Sequence, residues 1–254
     1  MITIGVFAYN EQDNLRATVE GVIEAARLAD STIGGSAFGG NLPLEIIIVN
    51  DGSTDNTAAV IADLMKEHAG IKAITHPTNT GIGTAIRDII QAAAGEKICF
   101  IPGDNLFTLF TLRNLLLNAY KAEIILHYHI NSEIRKRGRI YLSLIFNLIY
   151  KFVYQLNIIY VNCLGIYPTA MLREMTIRAK RYNIPAELNV KTLLQGHTYY
   201  EVGSYMKPQS QKSSALTLGN LIDVAVSFLK LWYEVKISDR SKYAKMPVRV
   251  IDAI

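Results

Sequence analysis

Cysteine is nearly absent from this chain of 254 residues: there are two, Cys99 and Cys163. Both lie among apolar neighbours without metal-ligand spacing, so a disulfide framework is excluded and a reducing, cytoplasmic setting is expected. Charge is also sparse. Only 19% of residues are charged and the net charge is +4, too low a density for a dedicated nucleic-acid binder. No uninterrupted apolar run reaches the roughly 20 residues that span a bilayer. The sequence enters a strand pattern at Ile2, so no signal peptide is expected ahead of it. No internal repeat or low-complexity segment is evident. What is present is apolar bulk, 50% of the chain, enough for a sizeable core in one domain or two fused halves.

The first half alternates strand and helix patterns. Strand Ile2–Ala8 leads to a helix around Asn14–Ala29, and a Gly- and Ser-rich loop is expected from Asp30 to Pro43. Strand Glu45–Val49 precedes a helix near Thr57–Glu67. Strand Lys72–Thr75 and the loop His76–Gly83 precede a helix near Thr84–Ala94, and strand Lys97–Ile101 follows. This rhythm predicts an α/β fold with a doubly wound, mostly parallel sheet and flanking helices. Right-handed crossovers gather the polar turns along one edge. The run from Ile46 to Asp55 is the most telling. Four β-branched residues break into Asn50-Asp51-Gly52-Ser53, which sets a carboxylate and free backbone N–H groups where open α/β sheets bind ligands. Such turns recur down the chain, and together they predict nucleotide binding.

The second half reads differently. Between Arg139 and Leu156 the polar positions are Ser143, Asn147, Lys151 and Gln155. From Leu216 to Val235 they are Asn220, Asp223, Ser227, Lys230 and Glu234. Each segment is a helix with a narrow polar stripe and a wide apolar face. Four basic residues, Arg135, Lys136, Arg137 and Arg139, stand before the first of them. They are either a solvated turn or a site for phosphate or lipid headgroups. His76, His127, His129 and His197 lack metal spacing and are given structural roles.

Four polar turns stand at successive strand ends: Ala8-Tyr9-Asn10-Glu11, Asn50-Asp51-Gly52-Ser53-Thr54-Asp55, Asn79-x-Gly81-x-Gly83-x-x-x-Arg87 and Gly103-Asp104-Asn105. This set resembles the inverting glycosyltransferases of family 2, which have the GT-A fold, over roughly residues 1–105. The resemblance implies that the first two turns hold the nucleobase and ribose of a UDP- or GDP-linked sugar, with Glu11 and Asp51 touching the nucleoside. It implies that the Asn79 loop packs beside them. It also implies that Asp104, with Asn105, holds Mg²⁺ or Mn²⁺ on the diphosphate, although Pro102 replaces the first metal-binding Asp. Read from the residues alone, Asp104 is a turn or cap residue and Asp51 an Asx-turn. Replacing Asp51 is expected to remove nucleotide binding and leave the fold intact.

Further along, the chain looks like the polyprenyl-phosphate branch of that family, similar to dolichyl-phosphate mannosyltransferases. The similarity rests on Glu187–Gly196, Tyr200-Glu201-Val202, Asn162-Cys163 and the basic run. Tyr160 stands in place of an expected Asp, and Gln209–Ala215 departs from the branch's phosphate-closing loop, with Lys207 and Lys212 as substitutes. The resemblance implies one catalytic domain over residues 1–254, with a nucleotide-binding half (1–105) and an acceptor-binding, membrane-facing half (106–254). The acceptor is expected to be a polyprenyl phosphate at the inner face of the membrane. A saccharide hydroxyl acceptor and a catalytically weakened sugar-nucleotide binding protein are the alternatives, and a homo-oligomer interface could equally cover the apolar helices. Asp104 and Glu187 are the expected catalytic residues. A hydroxyl acceptor needs Glu187 as base; a phosphate acceptor needs none, and Glu187 then positions the sugar or a neighbouring cation, or is simply solvated.

Overall fold

A computed structural model describes residues 1–32, 44–181, 183–208 and 218–252. Eight strands form one sheet in the order β3-β2-β1-β4-β6-β5-β7-β8. They are β1 (Ile2–Ala8), β2 (Leu44–Asn50), β3 (Ile71–Thr75), β4 (Lys97–Pro102), β5 (Ile124–His129), β6 (Ile166–Pro168), β7 (Thr198–Ser204) and β8 (Val248–Arg249). Only β6 runs antiparallel to its neighbours, so the expected mostly parallel sheet is observed.

The helices are α1 (Leu15–Thr32), α2 (Thr57–Glu67), α3 (Ile82–Ala92), α4 (Leu109–Leu117), α5 (Arg137–Tyr154), α6 (Thr169–Arg173), α7 (Ile184–Leu193) and α8 (Leu218–Tyr233). Helix α1 continues through Asp30–Thr32, which the sequence assigns to a loop. The rest of that loop, 33–43, lies outside the described residues.

Alternation along the strands divides the core into two layers. Ile46 and Ile48 of β2, with Cys99 and Ile101 of β4, pack under α1, α2 and α4. Ile47 and Val49, with Ile98 and Phe100, pack on the opposite face against α3, α5, α7 and α8. Strands buried on both faces read as continuous apolar runs, which is why β2 and β4 are so evident in the sequence.

Helix α5 is inverted with respect to a soluble surface helix. Its polar stripe turns inward: Asn147 donates to the Ile159 carbonyl at 2.9 Å and accepts from the Val161 N–H at 2.9 Å, and Ser143 meets the Tyr160 hydroxyl at 2.6 Å. Its apolar residues turn outward, with Tyr141 63%, Leu148 64% and Phe152 86% exposed. On α8, Ile222, Leu229 and Tyr233 are also exposed. The two helices meet through Phe228, whose ring lies 5.0 Å from Tyr150. Among the described residues no helix is long and apolar enough to cross a membrane.

Candidate functional site

The strand order reverses between β1 and β4, which opens a crevice at their carboxyl ends. At the end of β1, Asn10 adopts a left-handed conformation, φ 56°. Its amide oxygen accepts from the Thr54 N–H at 2.8 Å, and its own N–H donates to Ser53 Oγ at 3.0 Å. The Glu11 N–H donates to Thr57 Oγ1 at 2.9 Å. These bonds join the first two turns into a single wall, with Tyr9 exposed beside it.

Asp51, at the end of β2, is 4% exposed. Its carboxylate accepts from His76 Nδ1, the Thr80 hydroxyl and the Gly81 N–H, each at 2.7 Å, and from the Thr80 N–H at 2.9 Å. Three of these bonds fall on Oδ1 and one, from Gly81, on Oδ2, which leaves Oδ2 with acceptor capacity. Asp51 therefore shapes the 76–81 loop that borders the crevice. Its loss would strand two backbone N–H groups, so a stability cost is expected beside the expected loss of nucleotide binding. Gly52, at φ +70°, allows this loop to close: a Cβ there would come within 2.5 Å of the Asn79 nitrogen.

His76 bridges Asp51 to Asp88, 2.7 Å from its other nitrogen. Burial opposes the imidazolium, but the two carboxylates outweigh it and hold His76 above its ordinary 6.5. Burial likewise opposes the Asp51 carboxylate, and His76, Thr80 and Gly81 outweigh it, holding Asp51 below 3.8. The sign of the pH dependence follows. The Asp51 contribution is present above 3.8 and is lost as pH falls through its depressed folded value. The His76 contribution is present below 6.5 and is lost as pH rises through its raised folded value. Denaturation midpoints measured from about pH 5 to about pH 9 are expected to decline toward the alkaline end, and a His76→Gln variant is expected to lose that slope. An unchanged slope would remove His76 from the loop's anchoring.

At the end of β4, the Gly103 N–H donates to the Phe7 carbonyl at 3.0 Å, and a Cβ on Gly103 would lie 3.2 Å from that of Ala8. Asp104 follows, half-buried, with one oxygen accepting from the Leu106 N–H at 3.2 Å. Burial lifts its carboxyl above the usual range, with the Leu106 N–H and the Arg139 charge opposing. Burial also raises Glu11; the Asn14 amide, at 2.8 Å, opposes this and the Asp104 charge adds to it. Two acidic groups that disfavour each other's charge suit a hard divalent cation, which takes oxygen ligands and keeps water. Asn105 is already engaged: its amide oxygen accepts from Lys207 Nζ at 2.6 Å.

Lys207 therefore stands on the crevice, as the sequence reading allowed; Lys212 and the Gln209–Ala215 loop lie outside the described residues. Asn79 is exposed on the loop, Gly81 caps α3, and Gly83 donates its N–H to the Lys180 carbonyl at 3.2 Å. Arg87 lies a turn along α3 and donates to Thr84 Oγ1 at 3.1 Å.

Glu187 is not at this site in a usable form. It is 2% exposed, and its carboxylate accepts from the Arg178 and Ala179 N–H groups and, at 2.6 Å, from Lys191 Nζ. Its burial excludes the solvated reading of Glu187, and the pair with Lys191 matches the reading in which it holds a neighbouring cation. Arg135 and Arg139 are what the sequence left undecided. Both are half-buried, whereas Lys136 and Arg137 are exposed. A cleft of about 150 Å³ is lined by Tyr128, His129, Ser132, Arg135, Ser143 and Tyr160. Arg139, one helical turn on, acts electrostatically on Asp104. A larger cavity of about 420 Å³ shares only Glu187 with the expected residues.

The sequence model of glycosyl transferase family 2 matches residues 3–179. A dolichyl-phosphate beta-glucosyltransferase of Trichomonas vaginalis is 32% identical over 100 residues, 38% of this chain and 28% of that protein. The chain thus aligns with less than a third of that relative's length. Glucosyl-3-phosphoglycerate synthase of Mycobacterium tuberculosis, solved with UDP, superposes with a TM-score of 0.65 at 15% identity, covering 91% of this chain and 80% of that one. The same synthase is also solved with Mn²⁺ and UDP-glucose. S. aureus TarS with UDP-GlcNAc superposes with a TM-score of 0.64 at 16% identity, covering 94% and 67%. These likenesses establish the shared GT-A architecture.

Proposed function

The chain belongs to glycosyl transferase family 2, and from that membership and the site we propose an inverting glycosyltransferase that moves a sugar from a nucleotide-sugar donor to a polyprenyl phosphate at a membrane surface. One observation carries the acceptor reading. The helix with its apolar face turned outward begins at the crevice, where Arg139 acts on Asp104 and Arg135 lines the adjoining cleft. A lipid phosphate suits that junction, with its chain along the apolar face and its headgroup among the arginines. The dolichyl-phosphate substrate named for the trichomonad relative fits the same chemistry.

The donor's nucleoside would rest against the wall made by Asn10, Ser53 and Thr54, bordered by the 76–81 loop. Asp104 would hold a divalent ion, Mg²⁺ or Mn²⁺, which when bound neutralises charge on the diphosphate leaving group. Lys207 adds a fixed cation beside Asn105. Arg135 and Arg139 would orient the acceptor phosphate, already an anion and in need of no base. The saturated Glu187 is consistent with this, since hydroxyl transfer was the reaction that required it.

Liposome binding tests the membrane half of the proposal. Burial of the outward faces gains about 25 cal/mol per Å², and each basic residue near anionic lipid adds roughly 1 kcal/mol that salt screens. Binding to anionic vesicles is expected to weaken, without vanishing, at high ionic strength. Gln at Lys136 and Arg137 is expected to reduce vesicle binding; Gln at Arg135 and Arg139 is expected to reduce transfer to polyprenyl phosphate as well. Nucleotide affinity should stay near wild type in both. A protein that stays monodisperse without detergent and ignores vesicles at low salt would overturn the lipid acceptor.

A further inference from the structure

Behind the crevice, three potential metal ligands converge from two segments. His127 and His129 project from the same face of β5, and Cys163 comes from the stretch before β6. One ligand atom from each lies within 4.8 Å of the others. Cys163 Sγ is 3.4 Å from His129 Nε2. The ring of Phe107, from the turn after Asp104, meets His127 edge-on at 5.2 Å. We propose that His127, His129 and Cys163 form a binding site for a thiolate-seeking d¹⁰ cation, Zn²⁺ in the first instance, separate from the divalent site at Asp104.

The surroundings of the two imidazoles carry this reading. Ser204 Oγ donates to the Tyr128 carbonyl at 2.8 Å and lies 3.1 Å from Nδ1 of both histidines. With its one proton committed, the hydroxyl can only accept from the rings. For His129 this puts the hydrogen on Nδ1 and leaves a lone pair on Nε2, the nitrogen facing Cys163 Sγ; the His127 ring also donates to the Leu164 carbonyl, a bond it gives up when it ligates. Histidines that bind metal typically donate their other N–H to such an outer partner, which fixes the tautomer. Here one serine does this for His129, and for His127 once it ligates.

Bonds of about 2.0 Å to nitrogen and 2.3 Å to sulfur set tetrahedral ligands roughly 3.3–3.8 Å apart. Cys163 Sγ and His129 Nε2, 3.4 Å apart, already meet that spacing; the His127 nitrogen, within 4.8 Å of them, needs to draw in by up to about 1 Å, which side-chain torsion supplies. As the S–Zn bond forms, the Cys163 thiol gives its proton to solvent; burial holds the free thiol above its ordinary value and the Arg135 charge opposes that only in part, so the bound cation is what stabilises the thiolate. Two neutral imidazoles and one thiolate make a soft donor set, unlike the hard oxygens at Asp104. His129 is half-buried and lines the cleft with Arg135 and Tyr160, so ion and water have a way in, and water completes the fourth position.

Titration of chelator-treated protein with Co²⁺ in place of Zn²⁺ tests the site. The expected result is a near-ultraviolet thiolate-to-cobalt band saturating at one ion per chain, and its displacement by Zn²⁺. Cys163→Ser is expected to abolish the band, and Asp104→Ala to keep it, so the result stands whether or not the transferase reading does. Should Cys163→Ser fail to fold by circular dichroism, His129→Gln is expected to weaken cobalt binding at least about 10-fold. Absence of the band in wild type, or its survival in a folded Cys163→Ser, would overturn the proposal.

Discussion

Replacing Lys191 with Ala is expected to lower the stability of the protein by about 3–5 kcal/mol. Lys191 is wholly buried, and its ammonium has three hydrogens to place. All three are placed: Thr176 O at 2.7 Å, Glu187 Oε1 at 2.6 Å and Glu234 Oε1 at 2.8 Å. Arg178 adds a second cation, with Nε 2.9 Å from the other oxygen of Glu234. This cluster ties α7 to the segment before it and to the π-helical turn Glu234–Ser238 that follows α8. Removing the ammonium leaves two buried carboxylates facing each other, an arrangement far worse than having neither partner. For a chain of this length each kcal/mol shifts the midpoint by roughly 2–4 °C, so thermal unfolding should fall by about 10 °C. A loss below about 1 kcal/mol, the range of a surface pair, would show that water reaches the cluster. Nucleotide binding by the folded variant should persist, because none of these groups lines the crevice.

Asp104→Ala should produce the opposite pattern: a folded protein with turnover reduced by about 10²–10³ or more. Losses of that size follow when a group stabilising developing charge is removed from a water-poor site. The stability cost is small, because the carboxylate accepts backbone hydrogen bonds only from Leu106 and its own N–H, each worth about 1 kcal/mol. Initial rates of sugar transfer with Mg²⁺ or Mn²⁺, before and after chelation, measure the effect. If wild type retains full turnover in excess chelator, then Lys207 and Arg139 carry the leaving-group charge alone, and the metal role of Asp104 is withdrawn.

How much of this was legible in the sequence depended on whether the signal was local. Helix α2 occupies Thr57–Glu67, as its pattern predicts, and β1, β2 and β4 extend only a residue or so from their expected bounds. Buried parallel strands and their turn residues announce themselves without tertiary information. Orientation did not. The four-residue spacing of Ser143, Asn147 and Lys151 gives the width of the polar stripe on α5, but nothing in it says that the stripe faces Tyr160 and the Ile159 carbonyl rather than water.

Partnership was equally hidden. Asp51 reads as a ligand-binding carboxylate, and nothing local says that it also anchors His76, Thr80 and Gly81, 25 to 30 residues on. Glu187 reads as a base until Lys191, one turn along the same helix, is found beneath it; the i,i+4 spacing was the available signal. The group of His127, His129 and Cys163 escaped because its cysteine is 34 residues from His129, beyond any metal-ligand spacing pattern.

The inverted α5 also changes what folding in water accomplishes. Tyr141, Leu148 and Phe152, with Leu229 and Tyr233 of α8, remain hydrated in the folded chain. Their transfer out of water is deferred to whatever covers the face. Any surface that binds the folded state but not the unfolded one stabilises it by RT ln(1 + [L]/Kd). If such a surface binds here, the conformational stability of this protein is thermodynamically linked to occupancy of that face.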